Sequence, residues 1–231
     1  MKGFAKGLGI IVVVAAVGFA ARTYVWSRGL EAGTSVSAVV DEWGPSVAAV
    51  MCSYLNPDGT MVQKVGSGTF VREGTRAYVL TSAQAVGSDS ASAVSCDVEF
   101  TNPPGNFIIR PAEISTNLQN ADVEMLVLPE ASSTALALMS PKTRVCQDAK
   151  VGDELVMLGY PFGGTTGLVA AQGIIGGDGG DRYYTATIED GASGGLAIDR
   201  SGDCFLGMLS SALPVQSENL GQIVKWSSMG L

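Results

Sequence analysis

The sequence predicts an all-β fold, because short strand-like segments recur between turn signals and helical patterns are few. The composition agrees with this class: the 231 residues include 30 glycines, 7% are aromatic and 46% are hydrophobic. Such a chain is globular and has enough apolar material for a core, in one domain of about 200 residues or in two smaller ones. Antiparallel barrels or a sandwich are the architectures that this pattern favours.

The predicted strands are separated by turns rich in Gly, Pro and Asp, such as Pro57-Asp58-Gly59 and Pro103-Pro104-Gly105. The strands are Ser46–Tyr54, Gly66–Val71, Ala77–Ser82, Ser90–Phe100, Val123–Leu128, Glu154–Leu158, Val169–Gly176, Tyr183–Ile188, Gly195–Asp199 and Cys204–Ser210. A short helical or irregular stretch over Val36–Trp43 precedes them. Leu220, Ile223 and Val224 lie at helical spacing, which predicts a closing helix over 217–226.

The chain contains no histidine, so the commonest general base at neutral pH is absent from its chemistry. Four basic and no acidic residues lie in 1–30, and since the whole chain carries −8, the remainder carries −12. A body this acidic repels phosphate backbones, and we therefore expect no nucleic-acid partner. We also expect no cofactor, and no metal site, because neither histidine nor a Cys-x-x-Cys spacing is present.

The N-terminal segment predicts export from the cytoplasm. Two lysines precede an uncharged apolar run over Gly7–Ala21. A cleavable signal peptide fits the small residues Gly18 and Ala20, whereas a helix over Ile10–Trp26 suits a retained membrane anchor with interfacial aromatic residues. We favour the anchor, with residues 1–28 as this segment and 29–35 as a linker. Either interpretation places the acidic body outside the cytoplasm, in a periplasm or cell envelope.

Four cysteines, Cys52, Cys96, Cys146 and Cys204, are disulfide candidates in such a compartment. They allow three pairings, and the sequence does not choose among them directly. Two cysteines fall in each half of the body, and we expect Cys52 to pair with Cys96 and Cys146 with Cys204. Four buried free thiols are the alternative.

A glycine-rich segment, Gly191-Ala192-Ser193-Gly194-Gly195, lies between two predicted strands. A serine in such a turn can stand clear of its neighbours while the amides of Gly191 and Ser193 point toward one spot, which is the geometry of an oxyanion hole. A plain glycine turn has the same sequence, so the segment alone is a weak signal.

Further segments accompany this turn in a characteristic order: GPSVAAV at 44–50, GSGTFVREGTRAYVLTSAQAV at 66–86, NADVEMLVL at 120–128, GDELVMLGYPFG at 152–163 and ALPVQSENLGQIV at 212–224. Together they resemble the trypsin-like serine proteases of the HtrA/Deg type over residues 36–226. The resemblance implies two antiparallel six-stranded β barrels with an active site in the cleft between them. It divides the domain at 36–231 into an N-terminal barrel at about 36–130, a C-terminal barrel at about 145–215 and the closing helix.

The resemblance also implies roles for individual residues. Ser193 falls on the nucleophile, Asp122 on the triad aspartate and Ser210 on the serine that supports this aspartate. The amides of Gly191 and Ser193 fall on the oxyanion donors. The walls of the primary specificity pocket fall on Thr187, Ile188, Glu189, Asp190, Ser210, Ser211 and Ala212.

The family pattern breaks at the third triad position, where this chain has Gln84 in place of histidine. A glutamine amide can hydrogen-bond both partners, but it cannot accept a proton and return it to a leaving amine. We therefore expect an inactive protease homologue that binds or scaffolds a protein or peptide partner. A weakly active peptidase with a lysine base and a purely structural subunit of a membrane or particle assembly are the alternatives.

Other departures lie close to the site. Ala192 replaces the family's Asn or Asp before the nucleophile, and LSSALPV at 209–215 merges two family segments. We expect no PDZ domain after the closing helix. The partner and the oligomeric state are left open by the sequence.

Overall fold

The computed structural model describes residues 34–56, 58–73, 76–88, 91–92, 95–101, 107–111, 113–115, 122–129, 144–164, 167–185, 191–215 and 218–230. The predicted signal or anchor and most of the linker lie outside these residues. Among the helices that are described, none is long and apolar enough to cross a membrane. Residues Val36–Leu231 form one compact unit.

The unit opens with helix α1, Val36–Trp43, followed by a 3₁₀ turn at Gly44–Ser46. Val36, Val39, Val40 and Trp43 recur at helical spacing and form the apolar face of α1. Val39 and Trp43 are buried against strands of the second sheet, and the Trp43 indole donates to the carbonyl oxygen of Gly202 at 2.9 Å. The expected helical stretch is therefore present.

The first sheet is antiparallel and has seven strands, in the order β7-β6-β1-β2-β3-β9-β8. Its strands are β1 Val47–Leu55, β2 Met61–Glu73, β3 Arg76–Ser82, β6 Ser95–Phe100, β7 Phe107–Ile109, β8 Glu113–Ser115 and β9 Val123–Val127. A four-residue helix, α2 at Ala83–Val86, follows β3 directly, and a small hairpin of β4 Gly87–Ser88 and β5 Ala91–Ser92 follows α2.

The second sheet is also antiparallel and has seven strands, in the order β11-β10-β14-β15-β16-β13-β12. Its strands are β10 Glu154–Gly159, β11 Val169–Ile174, β12 Gly177–Asp178, β13 Arg182–Thr185, β14 Leu196–Asp199, β15 Phe205–Val215 and β16 Glu218–Lys225. Short 3₁₀ turns lie at Pro161–Gly164 and Trp226–Ser228. Both sheets curl into half-barrels, which confirms the predicted double-barrel class, and the described residues supply seven strands to each sheet when short edge strands are counted.

Two apolar clusters join the two sheets. One packs α1 and Val47 against Leu158, Tyr160 and Phe205 of the second half. The other packs Leu80 and Val123 of the first sheet with strand residues of the second, including Val224. A hydrogen bond of 2.6 Å between the hydroxyls of Thr101 and Tyr160 also crosses this junction.

The predicted closing helix over 217–226 is wrong. This segment forms strand β16, which is hydrogen-bonded to β15 on one side and β13 on the other. Ile223 and Val224 are fully buried on opposite faces of the sheet. Because this strand is buried on both faces, its apolar residues do not alternate strictly, and periodicity alone does not separate it from a buried helix.

The expected cysteine pairing is confirmed. Cys52 and Cys96 face each other in the ladder between β1 and β6 and form a disulfide. Cys146 and Cys204 form the second one, beside an isolated parallel bridge between Val145 and Phe205. Each disulfide therefore lies within one half of the domain and closes a loop of that half.

Candidate active site

The Ser193 turn is shaped by two glycines in the left-handed region, Gly191 at φ +89° and Gly194 at φ +94°. A side chain at Gly191 would approach the backbone nitrogen of Phe162 to 2.8 Å, and one at Gly194 would approach the carbonyl oxygen of Ser67 to 1.9 Å. Only glycine therefore fits both positions without backbone movement. The turn preceding β14 is tightly packed against the first sheet and not a loose loop.

Ser67 of β2 anchors this turn to the first sheet. Its amide donates to the carbonyl oxygen of Ser193 at 2.8 Å, and its hydroxyl donates to that of Gly191 at 2.8 Å. The same hydroxyl accepts the amide of Tyr160 at 2.7 Å, and Ser67 is fully buried. These hydrogen bonds account for the two serine hydroxyl functions and fix the turn across the domain.

The amides of the turn divide into two groups. The backbone amide of Gly194 donates to the carbonyl oxygen of Leu209 on β15, and that of Gly195 donates to the carbonyl oxygen of Ala192 within the turn. Within the described residues, the amides of Gly191 and Ser193 donate no hydrogen bond. The two donors that the sequence assigned to an oxyanion hole thus remain available for an acceptor on a ligand.

Gln84 lies on α2, and the start of this helix is hydrogen-bonded to the residue predicted as the triad aspartate. The amide of Ala83 donates to the carbonyl oxygen of Asp122 at 3.0 Å, which extends the ladder between β3 and β9. The backbone amide of Gln84 donates to the hydroxyl of Ser82 at 3.2 Å, and the side chain of Gln84 is exposed.

The Gln84 helix and the Ser193 turn meet at Gly66. A side chain at Gly66 would approach the Cβ of Ala85 to 2.8 Å and the carbonyl oxygen of Ser193 to 3.3 Å. Backbone contacts therefore link the segments of the three residues predicted as a triad: Asp122 is hydrogen-bonded to the start of α2, and both α2 and the Ser193 turn approach Gly66. Their catalytic assignments remain predictions.

An ion pair at Asp122 was not expected from the sequence. Oδ2 of Asp122 accepts Nη1 of Arg182, at the start of β13, at 2.9 Å. The same Nη1 donates to Oε1 of Gln222 on β16, and Nη2 donates to Asp181 at 2.9 Å. The two carboxylates raise the pKa of Arg182 above its already high value, chiefly through the hydrogen bond with Asp181. The guanidinium stays charged throughout the pH range of a folded protein.

No local sequence pattern predicts the contact between Arg182 and Asp122, because Arg182 lies 60 residues from Asp122 in the chain and on the other sheet. The sequence predicts that Asp122 relies on hydrogen bonds such as those from Ser210 and Gln84. The structure places Ser210 on β15, buried and opposite Gln222 in the ladder with β16. Ser210 therefore neighbours Gln222, whose side-chain amide oxygen accepts a hydrogen bond from Arg182.

Tyr54, which is buried, and Glu124, which is half-buried, lie near each other beside α2. The Tyr54 hydroxyl donates to the carbonyl oxygen of Ala85 at 2.6 Å, and burial together with the nearby Glu124 raises its pKa to about 12. Burial also raises the pKa of Glu124, and Oε2 of this side chain has no hydrogen-bond partner among the described residues. The negative charge of the Glu124 carboxylate is therefore poorly compensated.

The acidic body has four lysines that could serve as a substitute base, and three of them are among the described residues. Lys225 forms an ion pair of 2.5 Å with Asp178 and lies over the ring of Tyr183. Lys64 lies 5.4 Å from the ring centre of Tyr54, and Lys150 is exposed before β10. Lys142 falls outside the described residues.

The predicted specificity pocket is described only in part. Thr187, Ile188, Glu189 and Asp190 lie outside the described residues, and Ser211 and Ala212 are described as backbone of β15. A cavity of about 390 Å³ lies elsewhere, beside the disulfide between Cys146 and Cys204. Neither Gln84, Asp122 nor Ser193 lines it.

Two curled antiparallel sheets that hold a serine turn between them define the double-barrel fold of the serine peptidases. A family model described as the trypsin-like peptidase domain matches residues 66–208, more than half of the chain. The chain therefore belongs to the trypsin-like peptidase domain family.

Among solved structures, the chain is similar to the serine endoprotease from Yersinia pestis, with a TM-score of 0.62 and 21% sequence identity. The match covers 85% of this chain and 64% of the Yersinia chain, so this chain spans less than two thirds of that protein. At this identity the likeness concerns the fold. No curated protein sequence matches the chain.

Proposed function

We propose that this protein is a trypsin-fold pseudoprotease of the HtrA type that acts outside the cytoplasm as a binding or scaffolding module. One observation carries the proposal: the chain has no histidine, and the family pattern assigns Gln84 to the position of the catalytic base. An amide does not take a proton from a serine hydroxyl near neutral pH. In a protease of another fold, loss of the histidine lowers kcat by about a million-fold.

The retained frame supports binding rather than turnover. The Ser193 turn keeps its anchoring by Ser67 and its two unused amides, although the base is gone. Backbone donors of this kind need no general base to hold an extended polypeptide. We propose an unfolded protein segment as the ligand and the cleft at Ser193 as its site.

The two disulfides support the proposed location, because such bonds persist in oxidising compartments such as the periplasm and cell envelope. Attachment to a membrane through residues 10–26 belongs to the same proposal. Expression of the full chain followed by fractionation tests it: we expect the protein in the membrane fraction, extractable by detergent but not by high salt. Release as a shortened soluble chain would show that the segment is a cleaved signal peptide.

Hydrolysis is tested with fluorescein-labelled casein and a serine-directed fluorophosphonate. We expect the native chain to hydrolyse casein no faster than Ser193→Ala, and we expect neither protein to react with the fluorophosphonate at an appreciable rate. Labelling of the native chain that is lost in Ser193→Ala would show a slow serine hydrolase and refute the pseudoprotease proposal.

Binding is tested separately by fluorescence anisotropy of unfolded labelled casein. We expect saturable binding by the native chain, and weaker binding after Gly191→Ala, which would push against the backbone nitrogen of Phe162. Gly152→Ala is a matched control, since Gly152 also has a positive φ but nothing within 4 Å of an added Cβ. Absence of binding would favour the purely structural role.

A further inference from the structure

We propose that Arg182 is a positioning residue that holds Asp122 as its permanent counter-ion, so that the site has lost the use of its aspartate in addition to its histidine. This inference rests on the proposed function and deepens it. It predicts that restoring a histidine at position 84 is insufficient to restore hydrolysis.

The geometry holds the guanidinium in one place. Nη1 of Arg182 contacts both Asp122 on the first sheet and Gln222 on the second, and Nη2 contacts Asp181. The Arg182 side chain is 23% exposed, and Gln222 is buried. Rotation of the guanidinium away from Asp122 would leave the buried amide oxygen of Gln222 without this donor, which is unfavourable.

The charges explain the consequence for catalysis. In an active triad, the aspartate orients the imidazole and stabilises the imidazolium that forms in the transition state. Here one oxygen of Asp122 is occupied by a cation at 2.9 Å. The Arg182 charge opposes a second cation beside Asp122, so an imidazolium at position 84 gains less from this carboxylate than in an active protease.

The absence of histidine makes this inference directly measurable. In Gln84→His the introduced imidazole is the one histidine of the chain, so its NMR titration needs no assignment, provided that the protein is purified without a polyhistidine tag. We compare its pKa in Gln84→His with that in Gln84→His/Arg182→Met. The second variant removes the positive charge and leaves Asp122 and Asp181 in place.

We expect Arg182→Met to raise the pKa of the introduced histidine by about one unit, because it removes the cation paired with Asp122, whose backbone is hydrogen-bonded to the start of α2. The matched control is Gln84→His/Arg200→Met, since Arg200 also pairs across the second sheet, with Glu154 at 3.9 Å. We expect the control to shift the pKa by less than about 0.2 unit.

Casein hydrolysis supplies the second measurement. We expect Gln84→His/Arg182→Met to exceed Gln84→His in kcat/KM by about tenfold or more, with the change in kcat rather than in KM, because the aspartate acts on the transition state. The Arg200→Met control should leave kcat/KM unchanged.

A pKa shift below about 0.3 unit in folded Gln84→His/Arg182→Met would overturn the counter-ion assignment. A shift of about one unit without any gain in hydrolysis would overturn the claim that Arg182 limits the site. If the Met variant does not fold, Arg182→Gln removes the charge and keeps a donor for Gln222. Failure of the proposed function is seen separately, in the chain with Gln84 intact, as labelling lost in Ser193→Ala.

Discussion

Gly194→Ala tests the packing that holds the Ser193 turn between the two sheets. Gly194 has a φ of +94°, and an added Cβ would lie 1.9 Å from the carbonyl oxygen of Ser67. The left-handed conformation costs an L-residue about 1–2 kcal/mol. The clashing oxygen belongs to the backbone of β2 and cannot rotate away as a side chain could. The turn or the strand must therefore move, which costs about another 1–3 kcal/mol.

The expected total loss for Gly194→Ala is about 2–5 kcal/mol in the free energy of unfolding. Gly152→Ala is the control, because Gly152 has a nearly equal φ of +99° and nothing within 4 Å of an added Cβ. It should lose about 1 kcal/mol, from the backbone conformation alone. Comparison of the two variants therefore isolates the clash with Ser67.

Urea unfolding followed by the fluorescence of tryptophans, including the buried Trp43, measures both losses. The free energies are comparable only if the slopes of the transitions agree, since a changed slope indicates a changed unfolded or native state. If Gly194→Ala and Gly152→Ala differ by less than about 0.5 kcal/mol, the turn is not confined by Ser67 and the packing argument fails.

Two further predictions concern stability. The double change Cys52→Ser/Cys96→Ser removes a disulfide that closes a loop of 44 residues. By the loop-entropy relation, it should lower the free energy of unfolding by about 4 kcal/mol. Denaturant unfolding measures this loss, and an unchanged free energy would contradict the disulfide. Glu124→Gln should stabilise the fold at pH 7 by about 1 kcal/mol, because it removes a poorly solvated charge. The raised pKa of Glu124 means that its proton-bound form is favoured in the fold, so stability from this group is present below its unfolded pKa and is lost as pH rises through its folded pKa. Stability curves of the native chain and the variant should therefore converge toward acid pH, and curves that stay parallel from acid to neutral pH would refute the assignment.

Much of the fold was predictable because its signals are local. Strand segments such as Ala77–Ser82 combine β-branched and apolar residues between turn residues, and β3 at Arg76–Ser82 lies where this pattern placed it. The cysteine pairs followed from their division between the two halves of the domain. The C-terminal strand was missed because Ile223 and Val224, which are adjacent in sequence, are both buried, on opposite faces of the sheet. Adjacent buried apolar residues occur in strands and in helices alike, so their spacing does not distinguish the two.

The sequence by itself determined the chemistry that this protein lacks: a chain without histidine has no imidazole at any position, whatever its fold. Its ordered motifs also predicted the double barrel, and they predict that Gln84, Asp122 and Ser193 belong to one site. The tertiary structure alone decided the partner of Asp122, because Arg182 comes from a strand of the other sheet. It likewise decided that Ser67 confines the Ser193 turn. Both contacts depend on how two sheets pack against each other, and packing between segments distant in the chain leaves no periodic or local signal in the sequence.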